Sequence, residues 1–214
     1  TTPTDKTKEL IEEEGEAQPS QWTLERVEEG TPLSPGQRVR LSIESLSRDG
    51  YLYVINREEF ADGTMGDPRL IFPTKRNEPN GNKVRAGRLI YIPSPPRYFR
   101  IKPSQTTKVH IGEVLTILVS PAPLIDASEL STAAITLPKG KVALWERQWK
   151  TTSTKFEMAG GVGQPMTEKE QAAATASAEL TQDDPVPQTI YRVALKPENP
   201  LMVTLRLRFG TPEP

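Results

Sequence analysis

The stretch Asp49-Gly50-Tyr51-Leu52-Tyr53-Val54-Ile55 decides the fold class. Tyr51 to Ile55 is apolar at every position, so both faces of the strand it forms should be covered, placing it centrally in the fold. Asp49-Gly50 ahead of it is a hairpin signal. Upstream, after Thr31-Pro32-Leu33-Ser34-Pro35-Gly36, Val39, Leu41 and Ile43 alternate with Arg38, Arg40, Ser42 and Glu44, which reads as one half-buried antiparallel strand. Downstream, Leu70-Ile71-Phe72 stops at Pro73 and Arg88 to Ile92 stops at Pro93, because proline has no N–H to continue a ladder. Tyr98-Phe99-Arg100-Ile101 follows. In Glu113 to Ser120, Val114, Leu115, Ile117, Leu118 and Val119 again fill both faces. Thr189 to Leu195 is a further strand, and Val203, Leu205, Leu207 and Phe209 alternate with Thr204, Arg206 and Arg208 in the last.

The periodicity changes once. From Pro138 to Lys150 the residues Val142, Leu144, Trp145 and Trp149 share one broad helical side, with Pro138 suited to the first turn. Gly160-Gly161-Val162-Gly163 breaks the pattern. Thr167 with Glu170 then forms a capping box before an Ala-rich run to Ala178. The expected fold is mainly β: a Greek-key-like β-sandwich with a helical insertion near 138–180. The 21 prolines, about twice the usual share, suit short strands and long connections over a helical bundle.

The chain divides by charge. Residues 1–30 carry nine acids and three bases, a net of −6, and form an acidic N-terminal arm. Residues 1–20 read as an extended or weakly helical tail, with a helical turn allowed over Thr7 to Glu14. Trp22 and Leu24 alternate with Thr23 and Glu25 as a short strand. Residues 31–110 carry fourteen bases against seven acids, and 31–210 is expected to be one β-rich domain. An acidic arm beside a basic body invites docking, on its own domain or on a neighbouring copy; two separately solvated surfaces would look the same in sequence.

Asp49-Gly50-Tyr51-Leu52-Tyr53-Val54-Ile55-Asn56-Arg57-Glu58, then Asp62-Gly63-Thr64 and Leu70-Ile71-Phe72-Pro73, together with Gly112 to Val119, resemble a bacterial domain family of unknown function. That family pairs a "GYLYV" strand with an Asp-Gly turn and an "LIFP" strand. The resemblance covers about residues 33–120, and Pro185 to Val193 is similar to the tail of longer members. It implies an exported domain, periplasmic, cell-surface or extracellular, sometimes attached to caspase-like peptidases. It implies no activity and no ligand. The absent methionine at Thr1 is what removal of a signal peptide, or a cloning boundary, would leave.

Catalytic chemistry finds little to work with. The absence of cysteine removes thiol catalysis, thiolate metal sites and a caspase-type Cys/His pair. His110 is the single histidine, between Val109 and Ile111, and reads as a surface or half-buried side chain rather than a general base. Thr1 opens a polar tail, not the buried strand that an N-terminal nucleophile needs. Asp49, Asp62 and Asp67 occur with Gly50, Gly63 and Gly66, which is turn chemistry before it is a calcium loop. Gly160-Gly161-Val162-Gly163 lacks the lysine of a phosphate loop. A carboxylate-based hydrolase needs two acids across a cleft, which the sequence alone does not place. No enzyme activity and no cofactor are expected.

Two groups of contact residues stand out. Lys75, Arg76, Lys83 and Arg85, with Arg88, flank Asn77 to Asn82 as a basic loop, which is either a solvated turn or a surface for an acidic partner or polysaccharide. It has no stacking aromatics, so nucleic acid is not expected. Trp145 and Trp149, four apart on the helix, either pack on the sheet or present a pair to a glycan or protein. The expected role is a non-catalytic interaction or assembly module, self-associating through Trp22, Leu24 and the rest of the arm; a glycan- or ligand-binding module is the alternative. No apolar run is long enough to span a membrane.

Overall fold

The structure is a computed structural model. It describes residues 11–13, 27, 29–76, 81–95, 97–102, 107–150, 152–157, 168, 189–194, 196 and 198–210. The molecule is mainly β, with one α-helix among the described residues. Two eleven-residue strands form its axis, β5 (Gly50–Phe60) and β10 (His110–Ser120), paired antiparallel along almost their whole length.

Around this pair a seven-stranded sheet is built. On one side of β5 lie β6 (Arg69–Phe72) and then β11 (Ile135–Thr136); on the far side of β10 lie β14 (Leu201–Phe209) and β2 (Pro32–Leu33), while β7 (Lys83–Val84) pairs the start of β5. Every pairing in it is antiparallel except β14 with β2. Two smaller sheets make a second layer: β4 (Leu41–Glu44) with β8 (Leu89–Ile92), and β9 (Tyr98–Arg100) between β3 (Arg38–Val39) and β1 (Ile11–Glu13). A ribbon of β12 (Ser153–Glu157) and β13 (Thr189–Val193) completes the strands.

Period-two alternation divides the central strands between two cores. Leu52 and Val54 of β5, Leu115, Ile117 and Val119 of β10 and Val203 of β14 face the second layer, meeting Val39, Leu41, Ile43, Ile90, Ile92, Phe99 and Ile101. Tyr53, Ile55, Leu118 and Met202 face the other way, against Val142 and Trp145 of helix α1 (Lys139–Trp149). This is why both faces of Tyr51 to Ile55 and of Val114 to Val119 are apolar: one is roofed by strands and the other by a helix.

The structure corrects four expectations. Asp49-Gly50 is not a hairpin turn, because β4 pairs β8 and not β5. Gly50 lies inside the strand, where an added Cβ would sit 2.6 Å from the Ser120 carbonyl oxygen, so it serves close approach of two strands rather than turn geometry. Asp62-Gly63 is a true turn: Gly63 has φ +78°, and the Asp62 carboxylate accepts the Thr64 N–H at 2.9 Å. The strand drawn through Val39, Leu41 and Ile43 is two, divided at Arg40, whose guanidinium donates to the Arg97 carbonyl as the chain moves from β9 to β8.

The first helix of the insertion matches its periodicity, Lys139–Trp149 against Pro138–Lys150, but the chain then turns to strand where no strand was expected. The helix ends at Trp149, and Ser153–Glu157 is a strand on β13. Ser-Thr-Lys-Phe-Glu suits the pleated surface of a two-stranded ribbon. The glycine break and, apart from Glu168, the Thr167–Ala178 run lie outside the described residues. The arm contributes β1, so Ile11–Glu13 are paired strand and not a free tail or helical turn.

Candidate functional site

The arm meets the body at two places. β1 lies antiparallel along β9, with Ile11 opposite Arg100, Glu12 opposite Phe99 and Glu13 opposite Tyr98. On its other edge β9 is held by β3, so the arm occupies what would otherwise be the open edge of this small sheet.

The second place is the root of the arm. One oxygen of Glu29 meets the Lys155 ammonium at 2.6 Å and accepts the Tyr191 hydroxyl at 2.9 Å. The other accepts the backbone N–H of Arg206 at 3.1 Å, capping an outward donor of β14. Desolvation pushes this carboxyl up, but Lys155, the Arg206 N–H and the Tyr191 hydroxyl together outweigh it and hold it below the ordinary carboxylate range. Glu29→Ala is therefore expected to cost about 1–2 kcal/mol, since three partners lose their acceptor at a partly screened site. Urea unfolding at low and high salt checks this, with the smaller loss expected at high salt.

The sequence-derived contact residues fare differently. Lys75, Arg76, Lys83 and Arg85 are all exposed, and 77–80, which joins them, lies outside the described residues, as do Trp22 and Leu24. The basic residues are anchored by backbone more than by charge: the Lys75 N–H reaches the Ser131 carbonyl, Arg97 donates to the Arg76 carbonyl, and Lys83 sits in β7. Trp145 is buried, 6% exposed, and Trp149 stacks on it with ring centroids 5.7 Å apart. Trp145 is core, and Trp149 is partly buried against the same cluster, so the pair packs on the sheet. Asp62 and Asp67 are directed to different ammonium groups, Lys108 at 3.0 Å and Lys139 at 2.7 Å, so they do not converge on a calcium site. Among the described residues no cluster of three His, Asp or Glu side chains could hold a metal ion.

One polar cluster went unread in the sequence. Beyond Ile55, β5 continues through Asn56, Arg57, Glu58 and Glu59 to Phe60. Asn56, Glu58 and Glu113 are 1%, 6% and 1% exposed, and Glu58 lies directly opposite Glu113 across β5 and β10. The His110 side chain is 2% exposed; its Nε2–H faces the Gly112 carbonyl oxygen at 2.9 Å and Glu113 Oε1 at 3.3 Å. The ring lies between Phe60, 5.7 Å away, and the edge-on Phe209, 4.7 Å away. Glu113 Oε2, Glu58 Oε1 and Asn56 Oδ1 are buried without a hydrogen-bond partner among the described residues. Burial raises the Glu113 carboxyl, against hydrogen bonds from His110 and Asn56. For His110 burial acts downward, yet the Glu113 hydrogen bond and charge, with the Glu58 charge, carry it above its ordinary value. Both shifts favour a proton held within the cluster.

A shallow groove of about 290 Å³ lies at the same end of the sheet, lined by Glu59, Ile111, Arg206, Arg208 and Phe209. Glu59 and Arg206 face each other across it at 3.6 Å.

No family model, curated protein or solved structure matches this chain. Among the described residues no helix is long and apolar enough to cross a membrane.

Proposed function

We propose that this chain is a non-catalytic interaction and assembly module that takes up an extended strand at the β9 edge. The carrying observation is β1, seated antiparallel on β9 through Ile11–Glu13. A sheet edge offers unpaired N–H and C=O groups in a row, and an extended segment that matches them gains backbone hydrogen bonds without needing a preformed pocket. The charges agree: β1 carries Glu12 and Glu13, while Arg38, Arg97, Arg100 and Lys102 lie on or beside β9 and β3. Work outside the cytoplasm, in the periplasm, at the cell surface or beyond it, is supported by the resemblance of residues 33–120 to an exported domain family.

The test uses a chain lacking residues 1–26, which removes β1 and keeps Glu29 on its partners. A labelled peptide of residues 5–16 should bind this shortened chain in fluorescence anisotropy. Binding to the intact chain should be at least about tenfold weaker, because the tethered arm competes at high effective concentration. If the shortened chain folds and the peptide does not bind it, the β9 edge is not a strand acceptor.

A further inference from the structure

The geometry points to a second copy of this chain as the occupant of the β9 edge, each copy seating its β1 on the β9 of the other. This rests on the strand-addition reading above and names its partner.

The reach of the arm allows it. Residues 14–28 separate β1 from the Glu29 anchor, and 15 extended residues span up to about 50 Å, more than the width of a small domain. A strand on so long a tether is not committed to its own body by the tether's length. What commits the tether at its root is Glu29, bound to Lys155, Tyr191 and Arg206 and independent of where β1 lies.

The charges suit exchange. Residues 31–214 hold twenty-four bases and nineteen acids, a net of +5, and the arm is −6. Reciprocal exchange lays each acidic arm across the other's basic body, and two arm-bearing chains, each near neutral, approach without repulsion. Every β1–β9 contact that one chain makes with itself is reproduced between chains, so exchange loses none of them, and a two-fold arrangement closes the assembly at a dimer. Among the described residues three pairs join β1 to β9, a short pairing that can open and re-form without unfolding the sandwich.

The lack of native cysteine makes the test direct. Ile11 and Arg100 are register partners, so Ile11→Cys and Arg100→Cys bring two thiols together wherever β1 meets β9. The two single variants are mixed in equal amounts in the full chain, joined with a short bis-maleimide, and the linked peptides are mapped by mass spectrometry. The expected result is a covalent dimer containing a residue 11–residue 100 link between differently labelled chains. If the double variant I11C/R100C links only within one chain and the mixture gives no mixed dimer, exchange is overturned while docking at β9 stands. If no residue 11–residue 100 link forms in either experiment, both are overturned. Light scattering of the unsubstituted chain covers the case in which Arg100→Cys perturbs folding. A dimer that becomes a monomer on removal of residues 1–26 supports exchange, and a monomer up to 100-fold above the concentration used for cross-linking overturns it.

Discussion

Trp145→Ala is expected to lower the unfolding free energy by about 3–5 kcal/mol, a loss characteristic of a large aromatic removed from a core that cannot collapse behind it. Helix α1 has two buried residues, Val142 at 0% and Trp145 at 6% exposed. They cover Tyr53, Ile55, Leu118 and Met202 on the outer face of the large sheet. Trp149, which stacks on Trp145, loses its platform at the same time. The helix is also tied to its surroundings by the ion pairs of Arg57 with Glu146 at 3.0 Å, on side chains 18% and 35% exposed, and of Lys139 with Asp67 at 2.7 Å, on side chains 73% and 58% exposed, both therefore weak. The helix should come away from the sheet as a unit. Leu144→Ala on the exposed side, 42% accessible, should change stability by under about 0.5 kcal/mol. Urea unfolding followed by circular dichroism separates the two variants. A loss below about 1 kcal/mol for Trp145→Ala would mean that the helix is held by something other than this contact.

The same residue shows where sequence reading succeeds and where it stops. The Trp145–Trp149 spacing is equally good for packing and for presentation, and only knowing which sheet face lacks a strand roof decides between them. Tyr51 to Ile55 and Val114 to Val119 were legible as central strands because an all-apolar run leaves few alternatives. Their partners were not legible. Asp49-Gly50 has the chemistry of a tight turn, yet Gly50 is glycine because the Ser120 carbonyl crowds its Cβ direction, a long-range cause that local spacing does not reveal. The charge contrast between arm and body was readable, but not whether the arm docks: the pairing of β1 with β9 depends on β9 having an edge to offer, which is topology. The buried cluster was missed for a different reason. Asn56-Arg57-Glu58-Glu59 looks like the end of a strand, since polar residues in a run normally mark solvent. Here alternation continues beneath the polarity: Asn56 and Glu58 point into the sandwich, while Arg57 points to Glu146. The single histidine three residues before Glu113 was the available signal, and its meaning depended on Glu58 lying across the sheet.

That cluster sets the second large effect. His110→Ala removes the cationic partner of Glu113, a carboxylate 1% exposed, and should cost about 3–5 kcal/mol near pH 7, as when one member of a buried ion pair is deleted. The pH dependence gives the loss its signature. The folded-state value of His110 is raised, so its stabilising contribution is complete below the unfolded-state value of about 6.5 and is lost as pH rises through the higher folded-state value. Glu113 is raised as well, so in the folded state it too holds a proton more tightly than in the unfolded chain, and its effect has the same sign. Glu29, Asp62 and Asp126 are lowered instead; their stabilisation is present above the ordinary carboxylate range and fails only as pH falls below it. Between pH 6 and 9 the His110–Glu113 pair therefore dominates, and the urea midpoint of the unsubstituted protein should fall as pH rises through that window. In His110→Ala the titrating imidazole is gone, so the midpoint should fall less steeply as pH rises, and packing of the ring between Phe60 and Phe209 is lost at every pH. Glu113→Gln removes both the titrating carboxyl and its repulsion with Glu58, and should flatten the profile. A midpoint that is level from pH 6 to 9 in the unsubstituted protein, or an equally steep fall in His110→Ala, would show that the buried pair does not hold the proton that its geometry assigns to it.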